Sequence, residues 1–157
     1  MPDTHELSRV ISVRPTITPA AYAAGDAIGT SVKLPSFTRA DGIAALLRNV
    51  VVTDKDDQNV AIRIILFDKK PGTEQTDNAA LNIVDADLEH VVAELIVPAS
   101  TDLGGGGFQN LSPNSGNGLM LKTLQGKALW AQFVVGAAGT PTYVSADALL
   151  ARFTVEQ

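Results

Sequence analysis

Apolar and polar residues alternate with a period of two along much of this chain, which is the signature of strands with one face buried. The run VAIRIILF (Val60–Phe67) places Val60, Ile62, Ile64 and Leu66 on one face and Ala61, Arg63, Ile65 and Phe67 on the other. Both faces are mostly apolar, which predicts an inner strand covered on each side or lying against a neighbour. The run LLRNVVVT (Leu46–Thr53) behaves similarly, and the polar segment DKDDQN (Asp54–Asn59) between them has the character of a loop joining antiparallel strands. Leu46–Phe67 is therefore expected to form a hairpin. Two further strands are expected at Ala128–Val135 and Ala148–Val155, the second with Leu149, Ala151, Phe153 and Val155 on one face and Arg152 and Thr154 on the other. Weaker strand signals occur at Arg9–Val13, Ala27–Lys33, Ala93–Val97 and Met120–Leu124.

One helical passage interrupts this pattern. DADLEHVVAELIV (Asp85–Val97) opens with Asp85 as a candidate N-cap and predicts a short helix over Ala86–Val92 leading into a strand; a helix through Ile96 is the competing reading. Asp102–Gly118 is rich in Gly, Asn and Ser and is expected to be a long loop. The order and spacing of the elements suit one all-β domain over residues 1–157, an antiparallel β-sandwich or barrel with one short helix. The first six residues, 1–6, read as a flexible N-terminal arm.

Composition narrows the classes of function. The 157 residues fit one domain, and an apolar fraction of 45% suffices for a core. Only 5% are aromatic, so that core must be mainly Val, Ile, Leu and Ala. Seventeen acids against 12 bases give a formal charge of −5, with only Lys69 and Lys70 adjacent among the bases. This argues against nucleic acid as a partner, because binding to it rests largely on Lys and Arg neutralising phosphates. The absence of cysteine removes disulfides, thiol catalysis and cysteine-based zinc sites. Met1–Arg14 lacks the basic start and apolar core of a signal peptide, and no stretch approaches the roughly 20 apolar residues that cross a bilayer, so no membrane association is expected.

A search for reactive constellations yields little. His5 and His90 are far apart, and no GxSxG elbow offers a serine to His90, which reads as a surface or helix-end residue. Gly104–Gly107 is followed by Phe108 and Gln109, without the Lys-Ser/Thr of a phosphate-binding loop. Asp54, Asp56, Asp57 and Asn59 alternate oxygen-bearing side chains as calcium loops do, but lack the glycine and terminal glutamate of an EF-hand; a solvated hairpin tip is the favoured reading. Asp77, Asn78, Asp85, Asp87 and Glu89 form a second acidic neighbourhood, where calcium or paired carboxylates of a carbohydrate-active enzyme are the alternatives. Trp130, the single tryptophan, reads as core. Around Tyr22, the alanines with Gly25, Asp26 and Gly29 suggest a turn and a close approach of backbones or of another subunit. No catalytic, cofactor-binding or metal-binding residue is assigned, and no cofactor is expected.

YAAGDAIG (Tyr22–Gly29), VVVTDKDDQN (Val50–Asn59), TDNAALNIVDADL (Thr76–Leu88) and GTPTY (Gly139–Tyr143) together resemble a group of small structural proteins of tailed bacteriophages, over about Thr18–Thr154. The resemblance implies a non-enzymatic virion component with a jelly-roll-like β-sandwich, acting first as a capsid decoration (cement) protein that stabilises the head. It implies a homo-oligomer, with a trimer as the expected state, and the major capsid protein or other virion subunits as partners. A protein of the tail, baseplate or fibre that binds a host surface is the alternative within the particle. Assembly in the host cytoplasm is consistent with a cysteine-free chain, and the Gly104–Gly118 loop and the N-terminal arm are the expected contact segments.

Overall fold

A computed structural model describes residues 8–124 and 126–157; the expected arm at residues 1–6, and His5 within it, lie outside the described residues. The elements are β1 (Ser8–Val13), β2 (Ala20–Ala21), β3 (Ala27–Leu34), β4 (Ala44–Asp54), β5 (Ile62–Phe67), α1 (Asp85–Leu88), β6 (Val91–Val97), β7 (Thr101–Asp102), β8 (Gly107–Leu111), β9 (Leu119–Lys122), β10 (Leu129–Val135), β11 (Thr142–Tyr143) and β12 (Leu149–Glu156). A 3-10 turn over Pro113–Gly116 links β8 to β9.

The strands form two facing antiparallel sheets. One runs β1-β12-β4-β8-β7, with β9 pairing β4 beyond the end of β8; the other runs β3-β10-β5-β6. The small β2–β11 ribbon lies apart from both. Setting aside β2, β11 and the short β7 and β9, the order is β1-β12-β4-β8 facing β3-β10-β5-β6, which is the jelly-roll arrangement. The expected all-β sandwich is therefore present.

Alternation explains how the sheets close on one another. Leu149, Ala151, Phe153 and Val155 point inward from β12, as do Leu47, Val50 and Val52 from β4. Against them stand Ile62, Ile64 and Leu66 of β5 and Leu129, Ala131, Phe133 and Val135 of β10. The sequence of β4 carries one extra residue: pairing with β12 slips between Thr154 and Val155, opposite Arg48 and Asn49, so Leu47 and Val50 both face inward.

Several expectations are corrected. Leu46–Thr53 and Val60–Phe67 do form strands, but not a hairpin: β4 pairs with β12, β8 and β9, whereas β5 pairs with β10 and β6 in the other sheet. The polar segment between them arches across the sandwich. The helix is a single turn, Asp85–Leu88, and Val91 already pairs with Phe67 in β6, which removes both the longer helix and the Ala86–Val92 boundary. Most importantly, the expected 102–118 loop contains β8. Two of its three inward positions are Gly107 and Gln109, with only Leu111 apolar, so the alternation is present without the usual signal.

The outer faces of the two sheets differ. Residues 68–90 double back over the four-stranded sheet, where Ile65, Phe67 and Val134 form a second buried cluster with Leu81, Ile83, Val91 and Trp130. Trp130 is thus half-buried on the outer face instead of in the central core, with the Lys70 ammonium 5.5 Å from its ring centre.

Candidate interaction surfaces

The acidic residues picked out from the sequence are mostly occupied in binding backbone N–H groups. Asp54 is 3% exposed and accepts from the N–H groups of Asp56 and Gln58, one on each carboxylate oxygen, at 2.9 Å each. Asp56 reaches the next loop and accepts from Val144 and Ser145 N–H at 2.8 and 3.0 Å. Gln58 accepts from Thr142 N–H at 2.6 Å. The arch that reads as a solvated hairpin tip is therefore a latch between the β4–β5 crossing and the segment around β11. Burial pushes the Asp54 carboxyl above its ordinary range, against the two N–H donors and with the help of nearby Asp56 and Asp57.

The second acidic neighbourhood is split between different partners. Asp77 accepts from Thr18 N–H (2.9 Å), Gly29 N–H (2.6 Å) and the Tyr22 hydroxyl (2.9 Å). Burial works against its charge, yet these donors outweigh it and hold the carboxyl below the usual range. Asp87 turns inward from α1 and accepts from Gly72 and Thr73 N–H at 2.7 and 3.0 Å, which lowers its pKa. Asp85 and Glu89 stay exposed. Glu74 accepts from the Ser31 N–H at 3.2 Å and the Ser31 hydroxyl at 2.9 Å. Among the described residues no three His, Asp or Glu side chains gather as a metal site would need. His90 ends the turn after α1, where its Nδ1 lies 3.0 Å from Asp68 Oδ1 in a partly buried pair.

Tyr22 has a larger structural role than its alanine-rich setting suggests. It is 2% exposed and meets Tyr143 edge to face, with ring centres 5.6 Å apart. Burial drives both phenols well above their ordinary pKa. The close backbone approach expected there occurs at Gly29: its φ is +67°, and a Cβ would lie 2.6 Å from the Thr16 carbonyl oxygen. The glycine run at 104–107 forms the tip of the β7–β8 hairpin, and a Cβ on Gly106 would meet the Asp54 carbonyl at 2.8 Å.

Sequence reasoning missed three glutamines that join strands: Gln58, Gln109 and Gln132. Gln109 is 2% exposed and its amide donates to the Val60 carbonyl across the sandwich. Gln132 donates to the Gly29 and Phe133 carbonyls, both at 2.9 Å, where the pairing of β3 with β10 slips. The available signal was a polar residue inside an otherwise apolar strand, most plainly Gln132 in ALWAQFVV.

With these groups engaged, the feature left facing solvent is the outer face of the six-stranded sheet. Leu150, Thr53 and Phe108 lie side by side across β12, β4 and β8; Arg152, Val51 and Asn110 form the next row. Glu156, Leu46 and Met120 lie side by side toward the far end, where Arg48 and Glu156 pair at 2.8 Å. Met120 is 71% exposed and Phe108 37%. This face mixes exposed apolar side chains with polar and charged ones such as Arg48, Lys122, Arg152 and Glu156. No helix of the described residues is long and apolar enough to cross a membrane.

No known family model matches the chain, and no curated protein matches it. Among solved structures it is similar to that of infectious bursal disease virus Gx strain, with a TM-score of 0.35 and 13% identity over 95% of this chain and 36% of that one. The infectious bursal disease virus VP2 subviral particle gives 0.34 and 12% over 97% and 37%. The Gt strain of the same virus gives 0.35 and 12% over 97% and 38%. The chain spans little more than a third of the length of these proteins.

Proposed function

We propose that this chain is a non-enzymatic structural component of a tailed-phage virion, decorating the head and stabilising it through contacts with the major capsid protein and with copies of itself. The observation that carries this reading is a jelly roll with one sheet face covered by its own chain and the other without cover among the described residues. Jelly rolls recur in capsid shells, although the same fold also serves lectins and cupins. The resemblance of residues 18–154 to small phage structural proteins supports the same assignment. The use of Asp54, Asp56, Asp77 and Asp87 as acceptors for backbone N–H groups supports a scaffolding role for the acids over carbohydrate chemistry.

Cryo-electron microscopy of virions with and without this chain tests the proposal. The expected result is added density on the outside of the head, and heads that release DNA on milder heating when it is missing. Heads of unchanged composition and stability would overturn the cement role, and antibody label on the tail would transfer the chain to the tail, baseplate or fibre.

A further inference from the structure

The sheet edges are unequally protected, and the exception points to a partner. An edge strand offers a row of free N–H and C=O groups, which proteins blunt with charge, proline, bulges or a covering segment. On β3 the covering is direct: Gly29 and Ser31 give their N–H groups to Asp77 and Glu74 of the 68–90 segment. On β6 the pairing with β5 is bulged between Leu66 and Phe67, Glu94 projects outward, and Pro98 follows the strand. On β9 the outer face carries Lys122, and β7 is only Thr101–Asp102.

β1 carries fewer of these devices: one exposed charge, Arg9 near its start, and no bulge or covering side chain among the described residues. Its six residues SRVISV pair with β12 without a register slip, and the strand contains neither proline nor lysine. Among the described residues no side chain or loop donates to, or accepts from, its backbone on the side away from β12. Its one charge, Arg9, sends its guanidinium to the Ser36 carbonyl at 3.3 Å. Val10, on the outer face, is 56% exposed.

We propose that β1 is a docking edge for β1 of a second copy of this chain, the two strands pairing antiparallel about a twofold axis. The two outer faces then join into one continuous sheet. Strand β1 is self-complementary in this arrangement. Opposed residues must share a sheet face, so the central registers set either Val10 against Val10 or Ile11 against Ile11. Arg9 then stands opposite Ile11 or Val13, never opposite the other Arg9, and no like charges meet. The inference needs only this edge and stands apart from the virion assignment; a twofold pair would also replace the threefold state that the resemblance implies.

Sedimentation velocity on the full chain tests it, together with the variant Val10→Lys/Ser12→Lys, whose two positions are exposed and so leave the folded protomer intact. The expected result is a dimer for the unmodified chain and a monomer of unchanged melting temperature for the variant. Because the protein has no cysteine, Val10→Cys supplies a direct probe. Opposed Cα atoms in an antiparallel pair lie about 4.5–5.5 Å apart, within disulfide reach. Val10→Cys is expected to cross-link to itself in the Val10–Val10 register, or to Ser12→Cys in the Ile11–Ile11 register. An unmodified chain that stays monomeric at all accessible concentrations would overturn the proposal. So would an oligomer that survives Val10→Lys/Ser12→Lys, or the absence of both cross-links.

Discussion

The two outer faces of this sandwich start from similar strands and end in opposite conditions. On the four-stranded sheet, Ile65, Phe67 and Val134 are sealed beneath residues 68–90; Asp77 and Glu74 pin the covering segment to β3 and its neighbours, and Asp87 braces it internally. On the six-stranded sheet, Phe108, Met120 and Val10 have no such cover among the described residues. The difference teaches that a large share of the polar chemistry in this chain serves to hold one piece of itself down. The uncovered sheet and the β1 edge have no such fastening among the described residues.

The sharpest way to break the comparison is to hollow out the covered face. Phe67→Ala should cost about 3–5 kcal/mol, as is usual for a buried phenylalanine, read as a shift in chemical denaturation. Loosening the pin is next: Asp77→Ala strands two backbone donors and a tyrosine hydroxyl and should cost about 2 kcal/mol. Hydrogen exchange should then accelerate first at Thr18 and Gly29, and exchange confined to the six-stranded sheet would contradict the assignment.

Acid separates the two kinds of carboxylate. A group whose folded pKa is depressed adds stability above its unfolded pKa and loses it as pH falls through the folded value. Asp77 and Asp87 are of this kind, so protection at Gly29, Gly72 and Thr73 should fall as pH drops below about 4, the ordinary aspartate range. Asp54 has the opposite sign: because burial raises its folded pKa, its contribution to stability rises as pH falls through that value toward the unfolded one. Simultaneous loss at both places would remove the distinction. Lys70→Ala should cost about 0.5–1 kcal/mol, the usual worth of an exposed cation over an aromatic ring, seen with a change in Trp130 fluorescence. At the small end, Phe108→Ala on the bare face should stay within about 0.5 kcal/mol in the isolated protein.

Strand periodicity made most of the sandwich legible before any coordinates. The faces of β12 and β5 were readable residue by residue, because each inward position is apolar. Pairing was not readable in the same way. Asp54–Asn59 has the composition of a hairpin turn, and nothing local tells such a turn from an arch between sheets. The deciding contacts are those of β4 with β12 and β5 with β10, made by segments far along the chain. Strand β8 was hidden for another reason: Gly107 sits where Ser100 leaves no room for a side chain, and Gln109 is buried because Val60 accepts its amide. The acidic clusters were correctly located, but Asp54 and Asp56 were misread as part of a solvated tip, whereas Asp57, Asp85 and Glu89 do face solvent. An aspartate that accepts from backbone N–H groups looks, in sequence, the same as one facing water.

The placement of β12 between β1 and β4 also governs how the protein can be made. Ser8 pairs with Glu156 and Leu149 with Asp54, so a ribosome must deliver nearly the whole of this sequence before β1 has a neighbour. Until then the inward side chains Ile11, Val50 and Val52 face an unfilled slot with exposed edges on both sides. Long-range closure of this sort is slow, and the waiting chain is open to association with other chains. The early strands of one nascent copy are therefore exposed to those of the next throughout synthesis, and the rate at which β12 arrives sets how long that hazard lasts.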